Sequence, residues 1–179
     1  MNKMLSILFF VFIAVGCSSA PAPSDGPKPL FMMPTVALAL DQVRQYPQYP
    51  DQSGLATLVQ EKLKGALDKN AVLAMSPTPE ALAVAVDMKY RRVFAGEATP
   101  FPSSSAGPPV VNYTVVVSRG EATVATIEQK NVTVNRGFVG NLKILFSFYM
   151  NGTPKTEAED VDILADAIAR DLAGLSIPQ

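Results

Sequence analysis

Few side chains in this sequence are equipped for chemistry. Among its 179 residues there is no histidine and no tryptophan, and Cys17 is the one cysteine. The usual neutral-pH general base and the soft metal ligands are therefore missing. No Ser/His/Asp or Cys/His arrangement can be assembled, and neither a Ser-x-x-Lys pair nor a glycine-rich phosphate loop occurs. A carboxylate pair such as Asp87 with Glu97 has the right type for acid/base cleavage of a glycosidic bond. Strand alternation puts Asp87 on a polar face, however, where a charge serves solubility. Lys89, Arg91 and Arg92 form the one local basic cluster, and the same alternation sends Arg91 and Arg92 to opposite faces. This inventory predicts a protein that is not an enzyme, with no metal and no dissociable cofactor. The side chains left for recognition are rings in proline-held loops. They are Tyr46 and Tyr49 in Gln45-Tyr46-Pro47-Gln48-Tyr49-Pro50, Phe101 between Pro100 and Pro102, and Phe138 in Asn135-Arg136-Gly137-Phe138-Val139-Gly140. Such rings lose little entropy on binding and can anchor a partner; the competing expectation is that they fold back onto the domain's own core.

The remaining reactive group, the Cys17 thiol, lies at the end of an apolar run. Asn2 and Lys3 give a short polar start, and Met4 to Val15 is interrupted only by Ser6. The run is too short for a bilayer, which needs about 20 helical residues, and has the length of a signal-peptide core. Ala14-Val15-Gly16-Cys17, with small residues before the cysteine, resembles the bacterial lipobox, although Ala14 stands where leucine is usual. That resemblance implies removal of residues 1–16 and attachment of a diacylglycerol and an N-acyl chain, such as palmitate, to Cys17. Several chains suffice for stable anchoring, each buried methylene contributing about 0.8 kcal/mol. Ser18, where an aspartate would resemble an inner-membrane retention signal, points to the outer membrane, facing the periplasm.

Composition agrees with a tethered domain. Without residues 1–16 the chain loses Lys3 alone among its charges, leaving 14 basic against 16 acidic side chains, a net charge of −2. Nucleic acid is thus not an expected partner. Residues 17–29, with prolines at 21, 23, 27 and 29, should form an extended tether, reaching about 35 Å at roughly 3 Å per residue. Residues 30–179 suit a single domain, whose core must hold without an intramolecular disulfide.

Within that domain, Thr35 to Leu40 reads as a buried strand after Pro34. A helix follows from about Ser53, with Leu55, Leu58, Val59, Leu63, Ala66 and Leu67 on one face, capped by Asp51 or Ser53 and ending near Asn70. Leu82, Val84, Val86, Met88 and Tyr90 alternate with Ala83, Ala85, Asp87, Lys89 and Arg91, a strand running to about Phe94 and covered on one side. Thr99 to Pro109 is a long loop of low complexity. Strands are expected at Val110 to Val117 and Ala122 to Val134, joined by a turn through Arg119-Gly120, and again at Leu142 to Met150. Thr156 and Glu159 predict a capping box, with Glu157, Glu159, Asp160 and Asp162 at a solvated helix start. Val161, Leu164, Ala165, Ile168, Leu172 and Leu175 form that helix's buried face.

The order β-α-β-β-β-α predicts an α+β, two-layer domain: an antiparallel or mixed sheet of about four or five strands with two helices on one face. Thr35 to Leu40, the helix Leu55 to Leu67, the strand Leu82 to Phe94 and the terminal helix together resemble, in element order, small outer-membrane assembly lipoproteins of the LptE type and the N-terminal lobe of the CsgG type. The resemblance implies an accessory or docking factor for an envelope assembly, secretion or transport complex, with an envelope protein as partner. The alternative class is a periplasmic lipid or glycan carrier, which would need a continuous apolar cavity between sheet and helices.

Overall fold

The computed structural model describes residues 29–76, 78, 80–100, 103–134 and 153–177. Cys17, Phe101, Phe138, the expected signal segment, nearly all of the tether and the strand expected at 142–150 lie outside the described residues. The elements are β1 (Thr35–Asp41), α1 (Gln52–Lys69), β2 (Ala83–Arg91), β3 (Val110–Arg119), β4 (Ala122–Thr133) and a C-terminal helix, α2 (Pro154–Ala173). They form a two-layer α+β domain, with a mixed sheet whose four strands among the described residues run in the order β1-β2-β3-β4.

Connection length decides the mixture. With α1 between them, β1 and β2 pair parallel, Thr35 opposite Ala85 and Asp41 opposite Arg91. The pairs β2–β3 and β3–β4 are antiparallel. A two-residue turn closes the second of these, Arg119 pairing Ala122, with Gly120 at φ 60° where a side chain would be strained. Farther along, Lys130 and Asn131 together oppose Asn112, a bulge in which Asn131 takes φ 54° and its N–H donates to Asn112 Oδ1 at 2.6 Å.

Alternation places Val84, Val86, Met88 and Tyr90 of β2 and Val111, Tyr113, Val115 and Val117 of β3 in the core. Opposite them lie Leu55, Val59, Leu63 and Leu67 of α1 and Val161, Leu164, Ile168 and Leu172 of α2. These side chains fill the layer between helices and sheet. The other sheet face carries Asp87, Lys89 and Arg91, all exposed.

Helix ends follow local chemistry. Asp51 caps α1, accepting from Gly54 N–H at 2.8 Å. Past the helix, Ala71 N–H donates to Asp68 O and Val72 N–H to Leu67 O, with Ala71 at φ 55°. These two bonds form a Schellman ending in which alanine occupies the left-handed position usually held by glycine. The second helix corrects the expected cap. Thr153, not Thr156, is the cap residue: its Oγ1 accepts from Thr156 N–H at 3.4 Å, and Thr156 Oγ1 accepts from Thr153 N–H at 2.8 Å. Pro154 explains the earlier start, because its fixed φ and missing N–H suit the first helical position. Moving the cap back by three residues puts Glu157 and Asp160 inside the helix on its buried side, 4% and 3% exposed, rather than at a solvated start.

Candidate docking surface

At the C-terminal ends of β1 and β2 two loops meet, 42–50 and 92–109, and a buried ion pair holds them. The pleat that buries Met88 and Tyr90 continues to Arg92, which is 1% exposed. On α2, Glu157 precedes Val161, Leu164, Ile168 and Leu172 in the same inward stripe. The two side chains meet in a bidentate pair, Arg92 Nε donating to Glu157 Oε1 at 2.7 Å and Nη2 to Oε2 at 3.0 Å. Arg92 Nη1 also donates to Gln42 Oε1 at 2.6 Å, and Nη2 to Pro50 O at 3.0 Å, so one guanidinium fastens both ends of the 42–50 loop to α2. Tyr90 Oη donates to Glu157 Oε1 at 3.2 Å. Its phenol is pushed well above its ordinary pKa by burial first, and then by the charges of Glu157 and Asp160.

Aromatic packing extends the knot outward. The Tyr49 ring lies under the Arg92 guanidinium, 5.1 Å from the cation. Phe94 meets Tyr46 and Tyr49 edge-on, with centroids 4.7 Å and 5.6 Å apart. Tyr49 Oη donates to Ser104 O at 3.1 Å and accepts from Ala106 N–H at 3.0 Å, while Tyr46 Oη donates to Ser103 O at 3.2 Å. Burial raises the Tyr49 pKa, partly opposed by its bond from Ala106. The long loop is itself folded back: Ala95 N–H donates to Ser105 O, Ser103 N–H to Ala95 O and Gly107 N–H to Val93 O, each at 2.8–2.9 Å.

The expected anchors are thereby redistributed. Tyr49 is 4% exposed and Tyr46 half-buried. Their rings pack against Phe94 and their hydroxyls bond the neighbouring loop, so Tyr49 is not an exposed docking ring. Exposure falls instead on Val43, at 63%, and on Arg44, Gln45, Pro47 and Gln48 beside it. Sequence reasoning missed Arg92, Glu157 and Phe94 as the supports of this region. The signal was present in the inward parity of Arg92 and in the four-residue step from Glu157 to Val161.

The other candidate chemistry does not converge. Glu97 is engaged by Arg91 Nη2 at 3.6 Å and by Phe94 N–H at 3.2 Å. Asp87 instead lines an open depression of about 370 Å³ on the uncovered sheet face, with Lys89, Asn112, Thr114, Glu128 and Lys130. Among the described residues no group of three or more Cys, Asp or Glu side chains is placed to hold a metal ion. No helix among them is long and apolar enough to cross a membrane.

No family model matches the chain, and no curated protein matches it. Among solved structures it is similar to the crystal structure of protein XCC0632 from Xanthomonas campestris, described with the family model DUF330. The two share 11% identity over 86% of this chain and 87% of that one, with a TM-score of 0.44.

Proposed function

We propose that this chain is a lipid-anchored accessory protein of the outer membrane, non-enzymatic, which docks to an envelope protein during assembly, secretion or transport. The observation that carries the reading is the preorganised loop platform. The Arg92–Glu157 pair and the Tyr46–Phe94–Tyr49 cluster hold the 42–50 segment against its neighbours and leave Val43 exposed on it. A surface fixed before contact loses little conformational freedom on binding. The packed layer between helices and sheet favours this reading over a carrier, since Leu55, Leu63, Met88 and Ile168 occupy the space a lipid would need. The sequence Ala14-Val15-Gly16-Cys17 supplies the proposed anchor and residues 17–29 the proposed spacer.

The test places a photo-crosslinking residue at Val43 and, separately, at Gln48 in the full chain in living cells. A discrete protein adduct at either position is the expected result. Adducts to lipid alone would favour the carrier, and no adduct at both would remove the loop as a docking surface. Independently, the mass of the N-terminal peptide reads the anchor: a diacylglyceryl, N-acylated Cys17 is expected, and an unmodified thiol there would refute it.

A further inference from the structure

β1 ends the sheet among the described residues, and its outward-facing backbone is unusually easy to account for. In a parallel pair each residue turns its N–H and C=O to the same side. Asp41 O accepts from Arg92 N–H, on the β2 side, so the outward positions are Pro34, Val36, Leu38 and Leu40. Two glutamines of α1 close this row at its ends. Gln60 Nε2 donates to Pro34 O at 3.0 Å, and Gln52 Oε1 accepts from Leu40 N–H at 3.2 Å. Between them the N–H and C=O of Val36 and of Leu38 have no backbone partner among the described residues. An edge of this kind is commonly blunted by lysine or an internal proline. Here the open-face side chains are Thr35, Ala37 and Ala39, all exposed. A groove of about 660 Å³ runs beside the strand, lined by Leu38, Leu40 and Ala56 with Gln45, Gln52 and Ser53.

We infer that this edge pairs with the same edge of a second copy of the chain, antiparallel about a two-fold axis at Ala37. The register is self-complementary. Val36 lies opposite the second copy's Leu38 and exchanges both backbone bonds with it, and the symmetric pair does the same, so the four groups of Val36 and Leu38 are all satisfied, while the Leu40 C=O faces the second copy's Pro34, which has no N–H to give, and marks the end of the pairing. Ala37 meets its own counterpart at the close, non-hydrogen-bonded position, about 4.5 Å between Cα atoms, where a small side chain fits. Val36 of each copy enters the groove of the other beside Leu38. No charged side chain of Thr35–Ala39 stands near the axis to repel its mate. The contact is isologous and therefore closes at two copies instead of propagating.

The test is cysteine crosslinking of the full chain in membranes, under mild oxidation, read on a non-reducing gel. The wild-type chain, with Cys17 alone, sets the background. Ala37→Cys is expected to give a disulfide-linked dimer well above that background, since the paired Cα distance lies within the disulfide range of about 4.4–6.8 Å. Ala39→Cys alone should stay at background, because four strand residues separate the two copies of that position, about 14 Å. Ala39→Cys mixed with Thr35→Cys should crosslink, as those positions face each other. All three substitutions lie on the exposed face, away from the core. A background-level result for Ala37→Cys overturns the pairing, and Ala39→Cys dimerising alone as readily as Ala37→Cys overturns the register.

Discussion

Removing the Glu157 carboxylate is the most informative single change. Arg92 and Glu157 are 1% and 4% exposed, so neither charge is balanced by water. In Glu157→Ala the guanidinium loses both carboxylate oxygens, at 2.7 and 3.0 Å, and Tyr90 loses its acceptor. Gln42 Oε1 and Pro50 O remain, but neutral oxygens do not compensate a buried cation. Breaking such a pair from one side costs about 3–5 kcal/mol, a large part of a typical total of about 5–15 kcal/mol. Glu157→Gln keeps one acceptor oxygen but leaves the same buried cation without its counter-charge, and should cost nearly as much, about 3 kcal/mol. Arg92→Met combined with Glu157→Leu removes both charges but leaves the Tyr90 hydroxyl without its acceptor, so it should cost about 1–3 kcal/mol, less than Glu157→Ala alone. Urea unfolding followed by far-ultraviolet circular dichroism, with the slope checked for constancy, gives each value. The reasoning fails if Glu157→Ala costs less than about 1 kcal/mol, or if the double variant loses as much as the two single variants added together.

Four further outcomes follow from the same geometry. Ala71→Gly should stabilise the protein by about 0.5–1 kcal/mol, because glycine relieves the left-handed φ of 55° at the end of α1 and gives back only part of that gain through its looser unfolded chain; a lower urea midpoint would contradict it. Thr153→Ala removes one side of the cap on α2 and should cost about 1 kcal/mol, read from the same unfolding curve. Asp162→Asn, which breaks the exposed pair with Lys62 at 2.8 Å, should shift stability by less than about 1 kcal/mol. Alkaline titration should unfold the domain progressively. Tyr113 is raised to about 12 by burial and by the charge of Asp171, and Tyr90 is raised well above 10.0. A raised phenol favours the protonated fold, so this stability is whole below about pH 10, where unfolded tyrosine ionises, and is lost as pH climbs through 12. An unfolding free energy that stays flat between pH 9 and 12 would show that these phenols are not held as described.

Periodicity made most of the scaffold legible. The alternation from Leu82 to Arg91 and the three- and four-residue spacing of Leu55, Val59, Leu63 and Leu67 are unambiguous because one face of each element is buried and the other wet. Boundaries were harder where two signals competed. Thr156 with Glu159 fits a capping box as well as Thr153 with Thr156 does, and only the fixed geometry of Pro154 favours the earlier start. The knot at the end of the sheet was the least readable part. Charge normally marks a wet position, and Arg92 and Glu157 defy that rule only because the chain brings together two residues 65 positions apart. Their phase along strand and helix carried the information, while their residue types argued against it. For the tyrosines the opposite held: proline-flanked rings suit exposure or packing equally, and Phe94, across the gap, decides for packing.

The parallel pairing of β1 with β2 also sets an order of events in folding. Thr35 meets Ala85 fifty positions away, whereas Arg119 meets Ala122 across a two-residue turn. Closing the larger loop carries the greater entropy penalty, so the β3–β4 hairpin can form early while β1 waits for α1 and β2 to exist. Among the described strands, the first in sequence is then the last to join the sheet. Pulsed hydrogen exchange during refolding should protect the amides of Val115 and Ile127 before those of Ala37 and Ala39; simultaneous protection would mean that the sheet assembles in one step. Until β1 docks, the β2 edge that it will cover stays open, so the slowest strand pairing among the described residues is also the one that shields β2 from pairing with anything else.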